Sequence, residues 1–224
     1  MAKIHGVAGE WARVKGTVTG LWPLFLGVFV AGVAVGCLLS HPAVGVSVLV
    51  ISLVCIVWTL MKGLRHIERF YKGARGEERV SEILQTLPDS YHVFNDFPAG
   101  RCHVDHVVVG PGGVFAVETK FWRGQVTAEE GHILLDGQLP DRDPLAQTIR
   151  EAAAVKGVLN RAGWNGQVSP VLVFASDAFA SHRAVLKGAI VINSCELKES
   201  FASDRVVLPE SELERLVALM ENNP

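Results

Sequence analysis

Between Leu21 and Met61 the chain contains no Lys, Arg, Asp or Glu, and the only titratable side chains there are His41, Cys37 and Cys55. A stretch of that length without formal charge is long enough for two passes of about 20 residues through a bilayer core about 30 Å thick. Ser40-His41-Pro42 is the natural tip between them, so the pattern predicts membrane helices over Leu21–Leu39 and Ala43–Met61, with Trp22 and Trp58 as interface anchors. Two other readings compete with this one. A secretory signal is permitted by the short apolar run after Lys3, Arg13 and Lys15, but the second run and the long polar lead argue against it. A buried soluble hairpin would need helices with no charged face at all.

Basic residues flank the apolar region on both sides. Lys3, Arg13 and Lys15 precede it, Lys62, Arg65, Arg69, Lys72, Arg75 and Arg79 follow it, and the tip carries neither Lys nor Arg. The expectation is an integral membrane protein with both termini cytoplasmic: residues 1–20 as a leading segment, 21–61 as the hairpin and 62–72 as a basic linker. The basic run suits anionic lipid headgroups better than nucleic acid. Three of the 21 basic and one of the 23 acidic residues precede Lys62, leaving 18 basic against 22 acidic in the remainder. A nucleic-acid surface there must be local. The four cysteines form no CxxC pattern, and Cys102 and Cys195 are isolated, so no disulfide framework is visible.

Beyond the apolar region the pattern predicts a helix over His66–Leu87, ended by Pro88 and with a break near Gly73 or Gly76. A short strand over Tyr91–Phe94 and a polar turn through Asn95, Asp96, Pro98 and Gly100 come next. Two further short strands are expected over Gln125–Thr127 and His132–Leu135. Pro144 then opens a helix to about Ala162 with Asp143 as its cap. Val168–Ala175 and Ala189–Ile192 read as strands covered on both faces, and Pro209–Met220 as a last helix. This order indicates an α/β layered domain over residues 73–224.

The most informative pair lies in its first hairpin. His103–Val109 and Val114–Lys120 are β-rich runs on either side of Gly110-Pro111-Gly112-Gly113, a strong turn signal. If Val109 faces Val114, Asp105 faces Glu118, although a bulge would shift that register. Opposed carboxylates repel unless compensated, and a divalent cation is the most economical compensation. Alternation places Lys120 on the Glu118 face.

Taken in order, Gly73–Glu77 (GARGE), Asn95-Asp96, Val104–Val109 (VDHVVV), Gly113–Lys120 (GVFAVETK), Gly124 and Pro144–Gln147 (PLAQ) resemble the nuclease-related (NERD) domain of the PD-(D/E)XK nuclease superfamily. The resemblance covers about Gly73–Ala175. It implies a mixed central sheet flanked by helices, and a Mg²⁺ or Mn²⁺ ion held by Asp105, Glu118 and the main-chain carbonyl of Thr119. It also implies Lys120 beside the attacking water, Glu77 as an additional acidic group and Gln147 as a further polar contact. The implied activity is hydrolysis of nucleic acid, DNA ahead of RNA. Mg²⁺ prefers oxygen ligands and is commonly bound by one or two carboxylates with substrate phosphate oxygens, which agrees with this set.

Plainer readings stand beside each role. Asp105 and Glu118 could pair with Lys120 and Arg101 in a structural ion network, and Glu77 could belong to a solvated face with Glu78. Gln147 could serve only the helix start, while Trp122 and Arg123 fit either rim packing or contact with a nucleic-acid backbone. A module of the same fold that binds nucleic acid or protein without turnover is the competing function.

Overall fold

A computed structural model describes residues 1–38, 40–201 and 207–222, except for the side chains of residues 64 and 66. Residues 1–9 and 75–224 form one compact unit and residues 10–74 another. In chain order the elements are β1 (Lys3–His5), α1 (Glu10–Cys37), α2 (Pro42–Gln85), β2 (His92–Ala99), β3 (Cys102–Gly110), β4 (Gly113–Lys120), β5 (Val126–Glu129) and β6 (His132–Leu135). They continue with α3 (Pro144–Arg161), β7 (Val168–Phe174), β8 (Arg183–Leu186), β9 (Ala189–Asn193), a 3-10 turn at Ser194–Glu196, α4 (Leu197–Phe201) and α5 (Glu210–Glu221).

Residues 10–74 hold two helices long and apolar enough to cross a membrane. Only 11% of the most apolar 18-residue window of each is buried, so these are not core helices of a soluble bundle. Phe25, Phe29 and Val54 are among the exposed side chains. Small residues set the contact between the helices. A Cβ on Gly63 would lie 2.5 Å from the Gly20 carbonyl oxygen, and one on Gly27 would lie 2.8 Å from the Ile56 side chain. Close backbone approach through glycine is how helices pack where burial from water offers no driving force.

Both helices are longer than the apolar runs. The first starts at Glu10, where Lys15 sits 4.0 Å over the Trp11 ring one turn away. The second runs through the expected linker to Gln85 without breaking at Gly73 or Gly76. No proline interrupts it, and Lys72 pairs with Glu68 at 2.7 Å across one turn. The expected end of the first span, Leu39, and Pro224 at the end of the expected domain lie outside the described residues.

The other unit is a mixed α/β structure: a seven-stranded sheet of order β1-β2-β3-β4-β7-β9-β8, flanked by helices. The β2–β3, β3–β4 and β8–β9 pairs are antiparallel, while β1–β2, β4–β7 and β7–β9 are parallel. The β5–β6 hairpin forms a separate two-stranded sheet. The sequence patterning did not anticipate β1 or β8, both short edge strands. Nor is Asn95–Ala99 the expected turn. It is a continuation of β2, with Asn95 paired to His106 and Phe97 to Val104, and Asp96 absorbs the bend with φ of 49°.

The central strands are apolar on both faces because both are covered. Val107, Val109 and Ala116 pack with Val155 and Leu159 of α3 and Leu216 of α5. On the opposite side Val108, Val117 and Val173 pack with Val80 and Leu84 of α2. Burying each such aliphatic side chain stabilises the fold by about 1.5–3 kcal/mol. The helix α3 begins where its cap dictates: Asp143 Oδ1 accepts from the Leu145 and Ala146 amides at 2.9 and 3.1 Å.

Candidate active site

The β3–β4 ladder has the register read from the turn, with Val109 opposite Val114 and Gly110 opposite Gly113. It ends at the His106–Val117 pair, one step before Asp105 and Glu118. There the Asp105 side chain takes over the role of the ladder. Its Oδ2 accepts from the Thr119 amide at 2.7 Å. Within an extended strand one residue's N–H and C=O point to the same edge. The Lys120 carbonyl faces β7, accepting from the Ala175 amide at 2.9 Å, so the Thr119 carbonyl is presented on the Asp105 side of β4.

Two helices complete the cluster. Glu77 of α2 is buried while Glu78 is only half-buried, which distinguishes the inward member of that pair. From α3, Gln147 Nε2 donates to Glu118 Oε1 at 2.8 Å and to Glu151 Oε1 at 2.9 Å. Lys120 Nζ donates to Glu118 Oε1, and to Gln147 Oε1 at 3.1 Å. The structure therefore brings Asp105, Glu118, Lys120 and Gln147 together, with Glu77 close enough to act on Asp105 electrostatically.

Glu151 is the participant that sequence reasoning missed. It lies one turn beyond Gln147, on the same face of α3, and only 6% of its surface is exposed. The signal was the i, i+4 spacing of Gln147 and Glu151, masked by the neighbouring Arg150, which makes the segment look like a solvated helix face. Of the two rim candidates, Trp122 packs on Phe174 with ring centroids 5.6 Å apart and Arg123 is exposed.

Burial and crowding of like charge govern the electrostatics. Desolvation raises the Asp105 pKa well above the usual carboxylate range, and the charges of Glu118 and Glu77 push it further against the pull of Lys120 and the Thr119 amide. Glu151 is pushed up to about 9, first by desolvation and then by Glu118. For Lys120 desolvation acts downward, but Glu118, Asp105 and Glu151 outweigh it and its pKa is raised, so the ammonium stays charged. Glu118, Asp105 and Glu151 thus all act on the one ammonium of Lys120. Glu151 Oε2 is buried with no hydrogen-bond partner in the described structure. An all-oxygen donor set and an unsatisfied carboxyl oxygen are the ligand chemistry that suits a hard divalent cation such as Mg²⁺ or Mn²⁺.

The family comparison covers this whole constellation. Residues 72–175, from the helix carrying Glu77 to the end of β7, match the family model described as a nuclease-related domain. Over these residues the chain is similar to a nuclease-related domain. An uncharacterised protein of Bacillus anthracis is 33% identical to it over 72 residues, which are 30% of this chain and 34% of that protein. The match thus spans about a third of that relative's length. No solved structure matches. Glu77, Asp105, Glu118, Lys120, Gln147 and Glu151 all fall inside the matched residues.

Proposed function

We propose that the chain is a membrane-anchored, divalent-metal-dependent nuclease-like protein that hydrolyses phosphodiester bonds of nucleic acid on the cytoplasmic side of a bilayer. The observation that carries this reading is the convergence of Glu118, Glu151 and Lys120 around Gln147, with the charges of Glu118, Glu77 and Lys120 acting on Asp105. DNA is proposed ahead of RNA as the substrate.

Asp105, Glu118 and the Thr119 carbonyl would hold a Mg²⁺ or Mn²⁺ ion, with Glu77 as a supplementary acid. The ion supplies Lewis-acid polarisation of a phosphoryl oxygen and a lowered pKa for a bound water. Lys120, held between Glu118 and Gln147, aims a permanent positive charge at the point where hydroxide forms and phosphoryl charge develops. Gln147 fixes the Glu118 carboxylate and the lysine together. The two apolar helices insert in the bilayer, and basic residues at both outer ends with none at the tip favour cytoplasmic termini.

Incubating the purified chain with DNA and RNA substrates in Mg²⁺ or Mn²⁺ tests the reading. Cleavage removed by chelation and by Glu118→Ala or Lys120→Ala supports it; no metal-dependent cleavage, or cleavage that both variants retain, rejects it.

The net acidity of the residues after Met61 favours one second reading, a module that binds nucleic acid or a protein partner without turnover. Metal-independent binding unaffected by Asp105→Ala, in a chain that cuts nothing, would establish it.

A further inference from the structure

The two apolar helices enclose a pocket of about 440 Å³ lined by Thr19, Gly20 and Pro23 of α1 and by Trp58, Thr59, Lys62, Gly63, Arg65 and Arg69 of α2. Trp58, Lys62, Arg65 and Arg69 follow one another at spacings of four, three and four, so they form one stripe along α2. Lys62, Arg65 and Arg69 give the pocket three cations and no carboxylate among its lining residues. Lys62 Nζ is held 4.1 Å over the Trp58 ring, which fixes its ammonium at the mouth.

The pocket's depth along the helices is also specific. On α1 it lies where the apolar run begins at Leu21, after the polar Gly16–Gly20 stretch, and on α2 where that run ends at Met61. The Gly20–Gly63 contact brings these two levels together. In a bilayer that is the level of the lipid phosphates, and Trp58 is the kind of side chain enriched there.

We propose that this pocket binds the headgroup of an anionic glycerophospholipid, with the phosphodiester on Lys62, Arg65 and Arg69. Basic pockets between membrane helices on the cytoplasmic side recognise such headgroups. The inference rests on the membrane reading above and adds a specific lipid site to it. A zwitterionic lipid carries its own cation on the phosphate and gains little from three more.

The test uses the full chain. Vesicle flotation first reports insertion; the protein in nonionic detergent is then stripped of lipid and titrated with phosphatidylglycerol, phosphatidylcholine or inorganic phosphate, with adducts counted by native mass spectrometry. Selective retention of phosphatidylglycerol is expected, weakened roughly thirtyfold by Arg65→Gln with Arg69→Gln and little changed by Lys72→Gln outside the pocket. Equal retention of both lipids, equal weakening by Lys72→Gln, or displacement of phosphatidylglycerol by inorganic phosphate at matched concentration overturns the lipid site. Those results in a chain that floats leave the membrane reading intact, whereas failure to float overturns both.

Discussion

Asp105 and Thr119 are joined by a hydrogen bond that replaces a strand-to-strand main-chain contact: the carboxylate of one strand accepts the amide of the next at 2.7 Å. This bond holds a carboxylate whose ionised form is opposed by burial and by Glu118 and Glu77. Asp105→Asn keeps an acceptor for the Thr119 amide while removing the repelled charge. The variant is expected to melt at or above the temperature of the parent in metal-free buffer, yet to lose metal-dependent cleavage by at least about a hundredfold, the scale of removing one preorganised electrostatic group. A thermal melt and a cleavage assay on the same preparation check both halves.

Glu151 makes the metal-free protein sensitive to alkali. Its folded-state pKa is about 9 against an ordinary 4.5, so between those values the folded chain binds a proton that the unfolded chain has released. Stability therefore falls as pH rises through that window. Glu151→Gln keeps the shape without the titration and is expected to flatten the slope. Denaturant midpoints at pH 6 and pH 9 in chelator, compared between parent and variant, check it.

Divalent cations should raise the melting temperature of the α/β unit, because an ion bound only by the folded state stabilises it by about 2.7 kcal/mol at a hundredfold excess over Kd. Glu118→Gln should abolish most of that rise, and chelation should reverse it in the parent. Differential scanning fluorimetry with and without Mg²⁺ or Mn²⁺ measures the effect.

Gly110, where the β3–β4 turn begins, tolerates no side chain. A Cβ there would lie 2.2 Å from the Tyr91 ring, and the Tyr91 hydroxyl is fastened to the Phe201 carbonyl at 2.5 Å, so the ring has little freedom to retreat. Gly110→Ala is expected to cost about 1–3 kcal/mol, the range for overpacking a tight core. The check is a lowered denaturant midpoint with metal affinity unchanged, since none of the site carboxylates touches this turn.

The sequence by itself determined the features whose physics is local. The charge-free run from Leu21 to Met61 dictated two apolar helices, the Gly110–Gly113 turn fixed the β3–β4 register, and Asp143-Pro144 set the start of α3. Asp105, Glu118 and Lys120 were legible for the same reason, since they lie close to one hairpin and period-two alternation relates them. Tertiary structure decided the rest. β1 and β8 are three- and four-residue strands that exist only because an edge was available to pair with, and the Asp96 bend is imposed by pairing across to β3. Glu151 looks like any solvated helix glutamate until α3 packs on the sheet and turns it toward Glu118. Local spacing says which side chains share a face; only long-range packing says what that face meets, and with it which carboxylates lose their water and must share one lysine.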